Sequence, residues 1–209
     1  MISKRNIKSA FLLFAIVISL MQIGCRKKTV TSYRIPGDGG LLSQEPCGPP
    51  CFYGITPGIT SKDEAEDILV NSLKLKNCHE YDIDIPGGIL SCEGIHHLSY
   101  NENYLVTEVG YYLDKDITVK ELLEKYGEPN NVATFTFGYH KDFVSSIQIY
   151  FSNIVMSVST EKRDGNSFTV SPETIIDDVT YSIYKETKDN NLFIQEWKGY
   201  GEYFMGAGP

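Results

Sequence analysis

What the sequence lacks narrows its chemistry first. It carries no nucleophile elbow, no phosphate loop, no zinc-protease helix and no dinucleotide fingerprint. Basic residues are scarce: 19 Lys and Arg stand against 27 Asp and Glu, a net charge of −8. A surface of that sign repels nucleic acid and anionic lipid headgroups, so neither is an expected partner of the folded part. No apolar run reaches the roughly 18 residues that a membrane-spanning helix requires. Histidine is rare, at four residues, and tryptophan occurs once.

What is present begins with an address. Lys4, Arg5 and Lys8 form a basic start, and Ala10 to Ile23 is an apolar run broken only by Ser19 and Gln22. That pattern suits a signal peptide over residues 1–24. The run ends in Gln22-Ile23-Gly24-Cys25, which resembles the lipobox of bacterial lipoproteins, with Gln22 where that family prefers Leu. The resemblance implies a diacylated Cys25 as the mature N-terminus, an anchor on the cell membrane or outer membrane, and a chain facing periplasm or exterior. Ordinary cleavage with a free Cys25, or an uncleaved short anchor, stay open as readings. Without the leader, 16 basic residues face 27 acidic ones, and the charge becomes −11. Arg26-Lys27-Lys28 is a local exception that could lie on anionic lipid or stand in solvent.

Four cysteines follow: Cys47, Cys51, Cys78 and Cys92. An even number suits an oxidising compartment. Three pairings are possible, and Cys78–Cys92 with Cys47–Cys51 is the favoured one. The first would close a hairpin-sized loop, worth about 3 kcal/mol by chain entropy.

Residues 25–46 hold Pro36, Gly37, Gly39, Gly40 and Pro46 with little apolar periodicity. They read as a flexible tether spanning about 25 Å, ahead of a domain over 47–209. In that domain two helices are expected. Ser61 and Glu64 form a capping-box pattern before Ala65, Ile68, Leu69 and Leu73; Thr118 and Glu121 repeat it before Leu122, Leu123 and Tyr126, with Gly127 and Pro129 as a stop. Period-two patterning predicts strands at Tyr81–Ile85, Ile89–Glu93, Tyr104–Leu113, Val132–Tyr139, Phe143–Phe151, Ile154–Thr160 and Val179–Tyr184. Ser152-Asn153 suits a tight hairpin. The order, helix then meander twice over, predicts an α+β fold. Repeat one would cover about 53–113 and repeat two about 114–160, with helices packed on one face of an antiparallel sheet and an aromatic tail over 161–209.

Gly54-Ile55-Thr56-Pro57-Gly58-Ile59-Thr60 resembles the helix start of small BamE/SmpA-type lipoproteins, and Tyr126-Gly127-Glu128-Pro129 resembles the same family's helix exit. Two such modules in tandem would be similar to the β-lactamase-inhibitor-protein fold. The resemblance implies an extracytoplasmic binding or envelope-assembly role and transfers no catalytic residue.

Two residue groups could carry metal chemistry. Asp82, Asp84, Gly87 and Glu93 match part of a calcium loop, but Pro86 supplies no side-chain oxygen and the flanks favour strands. Cys78, His79, Cys92, His96 and His97 could ligand zinc, although the spacing fits no zinc template and the cysteines are expected to pair. Adjacent His96 and His97 would point to opposite faces of a strand, so only one could serve a given site. No metal, cofactor or catalytic residue is assigned. Aromatics are more informative: 14 Tyr, 10 Phe and one Trp lie mostly at strand positions. Tyr111, Tyr112, Trp197, Tyr200 and Tyr203 form the candidate binding surface, since such rings offer large area with a polar tip. The expected function is a non-enzymatic, lipid-anchored binding module for an envelope component or macromolecule; the alternative is a metal-dependent or hydrolytic enzyme with an irregular site. Palmitate labelling of the wild-type chain should disappear in Cys25→Ser, and a label that persists would place the lipid elsewhere.

Overall fold

The computed structural model describes residues 35, 37–81, 87–137, 144–151, 156–162, 167–183 and 193–204, with backbone alone for 135–137, 144–145 and 161–162. All belong to one of the two units into which the chain divides, Ser32–Pro209. The leader, Cys25, the calcium-loop residues Asp82 and Asp84, and the Ser152-Asn153 turn lie outside the described residues.

Two local meanders supply most of the strands. The first runs β1 (His79–Tyr81), β2 (Gly88–Ser91), β3 (Ile95–Tyr100) and the long β4 (Val106–Thr118); the second runs β5 (Asn131–Phe137), β6 (Val144–Phe151) and β7 (Met156–Lys162). After β8 (Ser167–Val170), strand β9 (Ile175–Ser182) inserts between them, and β10 (Phe193–Glu196) closes the far edge. Among the described residues the result is one nine-stranded antiparallel sheet, β1-β2-β3-β4-β9-β7-β6-β5-β10, plus a β8 pair with β11 (Gly201–Phe204). Alternation then sorts the side chains. Val109, Tyr111 and Leu113 of β4, Val179 and Tyr181 of β9, Val158 of β7 and Ile147 and Ile149 of β6 are all buried on one face.

The expected α+β arrangement is not what forms. The described chain is 49% strand and 14% helical, and its two helices are too short to cover a sheet of this width. Helix α1 is only Lys62–Asp67, continuing as a π-turn over Ile68–Ser72, and α2 is Val119–Tyr126. Much of the apolar face is covered instead by the chain ahead of α1. Ile35, Leu41, Phe52 and Ile55 are buried, and the Phe52 ring lies 4.4 Å from that of Tyr111. Buried residues therefore lie ahead of Cys47, within the stretch that reads as a tether. Asp38 explains how so glycine-rich a stretch holds its shape: its carboxylate accepts the N–H groups of Gly40, Leu42 and Ser43 at 3.0, 3.1 and 2.7 Å. Burial works to raise the Asp38 pKa, but these bonds together with the Ser43 hydroxyl outweigh it and hold the carboxyl below its ordinary value.

Both cysteine pairs join as expected, Cys47 with Cys51 and Cys78 with Cys92. The second ties the chain after α1 to the end of β2. Helix α2 starts with a complete capping box: Thr118 Oγ1 accepts the Glu121 N–H at 3.2 Å, and Glu121 Oε2 accepts the Thr118 N–H at 2.8 Å. Two further N–H groups of its first turn find carbonyls in the turn before β9, Val119 donating to Thr174 at 2.9 Å and Lys120 to Pro172 at 3.2 Å. Gly127 ends the helix at φ 78°, a left-handed conformation that a β-carbon disfavours. Thr118→Ala should lower unfolding free energy by about 1 kcal/mol with an unchanged denaturant slope; an unaltered midpoint would show that the cap carries nothing.

Candidate functional site

On the second face of the sheet, strand register aligns polar side chains across the central strands; Ser159 and Thr180 among them are buried, and the larger side chains are partly exposed. One row places His97 of β3 opposite Gly110 of β4, then Thr180 of β9, Ser157 of β7 and Tyr150 of β6. The next runs Tyr112, Asp178, Ser159 and Gln148. These positions are the alternate partners of the core residues, so the pattern that fills the core also builds this surface.

Both histidines contribute, contrary to the expectation from alternation. The β3–β4 register shifts between Ile95 and His97, leaving His96 as an extra residue with no partner across the ladder. A bulge of this kind re-aims the side chains beside it. The two imidazoles stand 4.9 Å apart, and the His96 ring lies 5.3 Å from Tyr112. His97 Nε2 meets Glu108 Oε1 at 2.8 Å. Gly110 makes room for that pair: a β-carbon there would lie 2.9 Å from His97 Cε1 and 3.1 Å from Thr180 Oγ1. A side chain at 110 would therefore push His97 out of line.

Asp178 accepts a short hydrogen bond from the Ser159 hydroxyl. Its carboxyl pKa is raised, chiefly by burial, with the neighbouring Asp177 charge adding and the Ser159 bond and the histidines opposing. His96 is lowered, first by burial and then by His97, with Asp178 and Glu108 opposing. Desolvation thus pushes both groups toward their neutral forms, although His96 keeps much of its surface exposed. Imidazole, carboxyl, hydroxyl and amide groups set side by side in this way can both donate and accept hydrogen bonds to a polar partner.

The carboxylates that join the histidines are Glu108 and Asp178, which sequence reasoning missed. Glu93 of the calcium-loop pattern pairs with the Asn77 side chain. Among the described residues no group of three or more His, Cys, Asp or Glu side chains is placed to hold a metal ion. His79 lies on β1 at the sheet edge and is exposed.

The five aromatic candidates separate. Tyr111 is fully buried on the apolar face, where its hydroxyl meets that of Tyr181 at 3.1 Å. Tyr203 is also buried; its hydroxyl donates to Gly199 O at 2.7 Å and accepts from the Lys198 N–H at 3.0 Å. Trp197 is half-buried and stacks on Tyr203 at 5.8 Å. These three rings are packing groups. Tyr112 is half-exposed on the polar face, and Tyr200 is 43% exposed beside α2, so these two are accessible.

Comparison with protein-family models, curated proteins and solved structures finds no match.

The lowered His96 pKa has a defined consequence for stability. The unfolded chain takes up its proton near 6.5, before the folded chain does. His96 therefore contributes fully to stability above that value, and the contribution is lost as pH falls through the lower folded pKa. Asp178 acts in the opposite sense, since a raised folded pKa relieves the fold as pH drops. Thermal melts from about pH 7 to about pH 5 should show a smaller loss of Tm in His96→Gln than in wild type. Equal losses would mean that His96 is not held neutral by the fold.

Proposed function

We propose that this chain is a lipid-anchored, extracytoplasmic binding module without enzymatic activity, engaging an envelope component or another macromolecule through the polar sheet face. The observation that carries this reading is the pair of cross-strand rows, in which His97, Ser157 and Tyr150, and beside them Tyr112, Asp178 and Gln148, are partly exposed hydrogen-bonding side chains on one face. Such a surface suits a partner that presents polar groups over an extended area. Nucleic acid does not fit, given the net charge of −8. An assembly role of the kind implied by the lipoprotein resemblance belongs to the same reading. In this proposal attachment falls to Cys25, which the lipobox resemblance singles out. Because Ile35 is already buried in the fold, ten residue steps separate it from Cys25. They span at most about 36 Å when extended, which keeps the module close to the bilayer.

One observation favours the rival class. Glu108 orients His97 as a carboxylate would orient a general base in a hydrolase. Affinity capture from envelope extract with the mature chain separates the readings. A Tyr112→Arg/Ser157→Arg variant should lose at least about tenfold of the captured partner, an effect of about 1.4 kcal/mol. Capture unchanged by this double substitution sinks the sheet-face reading. Turnover of envelope material that is abolished by His97→Gln would favour the hydrolase.

A further inference from the structure

The backbone bonds that hold the start of α2 against Pro172 and Thr174 also shape a second feature, away from the polar rows. Between α2, this turn and Tyr200 lies an open groove with a volume of ≈ 550 Å³. Leu123, Pro172 and the Tyr200 ring give it apolar surface, and Glu124, Glu128 and Glu173 bring three carboxylates.

Lys120 also lines the groove and stands 3.8 Å from Glu124. Both of those side chains are exposed, at 61% and 66%, and Lys120 offsets only one of the three carboxylates. The balance is three negative groups to one positive. The Tyr200 hydroxyl responds to it: burial raises its pKa, and Glu124 and Glu173 raise it further. An exposed aromatic ring beside carboxylates is complementary to an organic cation, which gains from the ring face and from the charges together. A bare metal ion would leave the apolar surface unused. A lysine or arginine side chain would use it, laying its methylene stem along the groove.

We propose that this groove docks a lysine- or arginine-bearing peptide segment of a protein partner, with the cation over Tyr200 among Glu124, Glu128 and Glu173 and the stem against Leu123 and Pro172. The site stands apart from the polar sheet face and does not depend on it. The docked residue is specified by charge and by shape, since an acidic or short polar side chain satisfies neither.

Fluorescence anisotropy tests it, using the mature chain in detergent and a labelled peptide of alternating Lys and Leu, beside its Glu-for-Lys counterpart. The lysine peptide should bind saturably and the glutamate peptide should not. Tyr200→Ala should weaken binding about two- to fivefold, and Glu124→Gln/Glu173→Gln should weaken it further. Glu102→Gln, an exposed charge in the turn ahead of β4, should leave affinity unchanged. Binding should also fade toward about 1 M salt, where the Debye length is about 3 Å. The replaced groups are exposed, and matching melting temperatures confirm that the variants fold. Absent binding overturns the proposal, as does equal weakening by Glu102→Gln, which would reduce it to general charge attraction. Self-association abolished by Tyr200→Ala would overturn it in favour of a second copy. Tighter binding after replacing Arg26, Lys27 and Lys28 with Ser would do so in favour of the chain's own basic stub.

Discussion

Strand β9 is the constraint on which the rest of the structure depends. It is paired along both edges, with β4 on one side and β7 on the other. Each meander can form from neighbouring segments, but each would then present an open edge of unpaired backbone groups. Inserting β9 satisfies both edges at once and merges two small sheets into one. Its partners are distant in the chain: Tyr181 lies opposite both Val109 and Met156. Loop closure over such separations is opposed by entropy, and core burial must offset it. Val179 and Tyr181 contribute to that burial, and the Tyr181 hydroxyl finds the Tyr111 hydroxyl so that neither is stranded.

The same strand organises both surfaces considered for binding. Its Asp178 and Thr180 carry the polar rows across the seam between the meanders. Its lead-in turn supplies the carbonyls that receive the first N–H groups of α2, and so sets Pro172 and Glu173 beside Tyr200. Core, polar face and groove are consequently coupled through one element. A change that loosened β9 would disturb all three.

The resemblance to tandem helix-on-sheet lipoprotein modules directed attention to helix starts and stops, and those local features are well formed. Thr118 and Glu121 make their capping box because both partners lie within one turn. The architecture inferred from them was wrong for a physical reason. A helix of six or eight residues spans roughly 9–12 Å, too little to cover a nine-stranded sheet. Of the residues that do much of the covering, Ile35 and Leu41 sit among glycines and prolines whose composition reads as tether, and Phe52 and Ile55 follow just after it. The Asp38 carboxylate and the closed Cys47–Cys51 ring organise that stretch. Adjacent Tyr111 and Tyr112 could have been assigned to opposite faces from alternation alone. His96 and His97 could not, because the bulge that brings their rings together is a property of the β3–β4 pairing.

The sequence by itself determined what depends on near neighbours: helix caps, the hairpin-sized disulfide, the stop at Gly127 and the period-two alternation of β4, β6 and β7. Those interactions close over a few residues, or a short loop, and need no knowledge of the fold. Tertiary structure alone decided what depends on distant partners. It chose which aromatic rings became core, which carboxylates met the histidines and where Tyr200 found its acidic neighbours. Those outcomes depend on pairing and packing between segments distant in the chain, set by burial summed over the fold rather than by any local pattern.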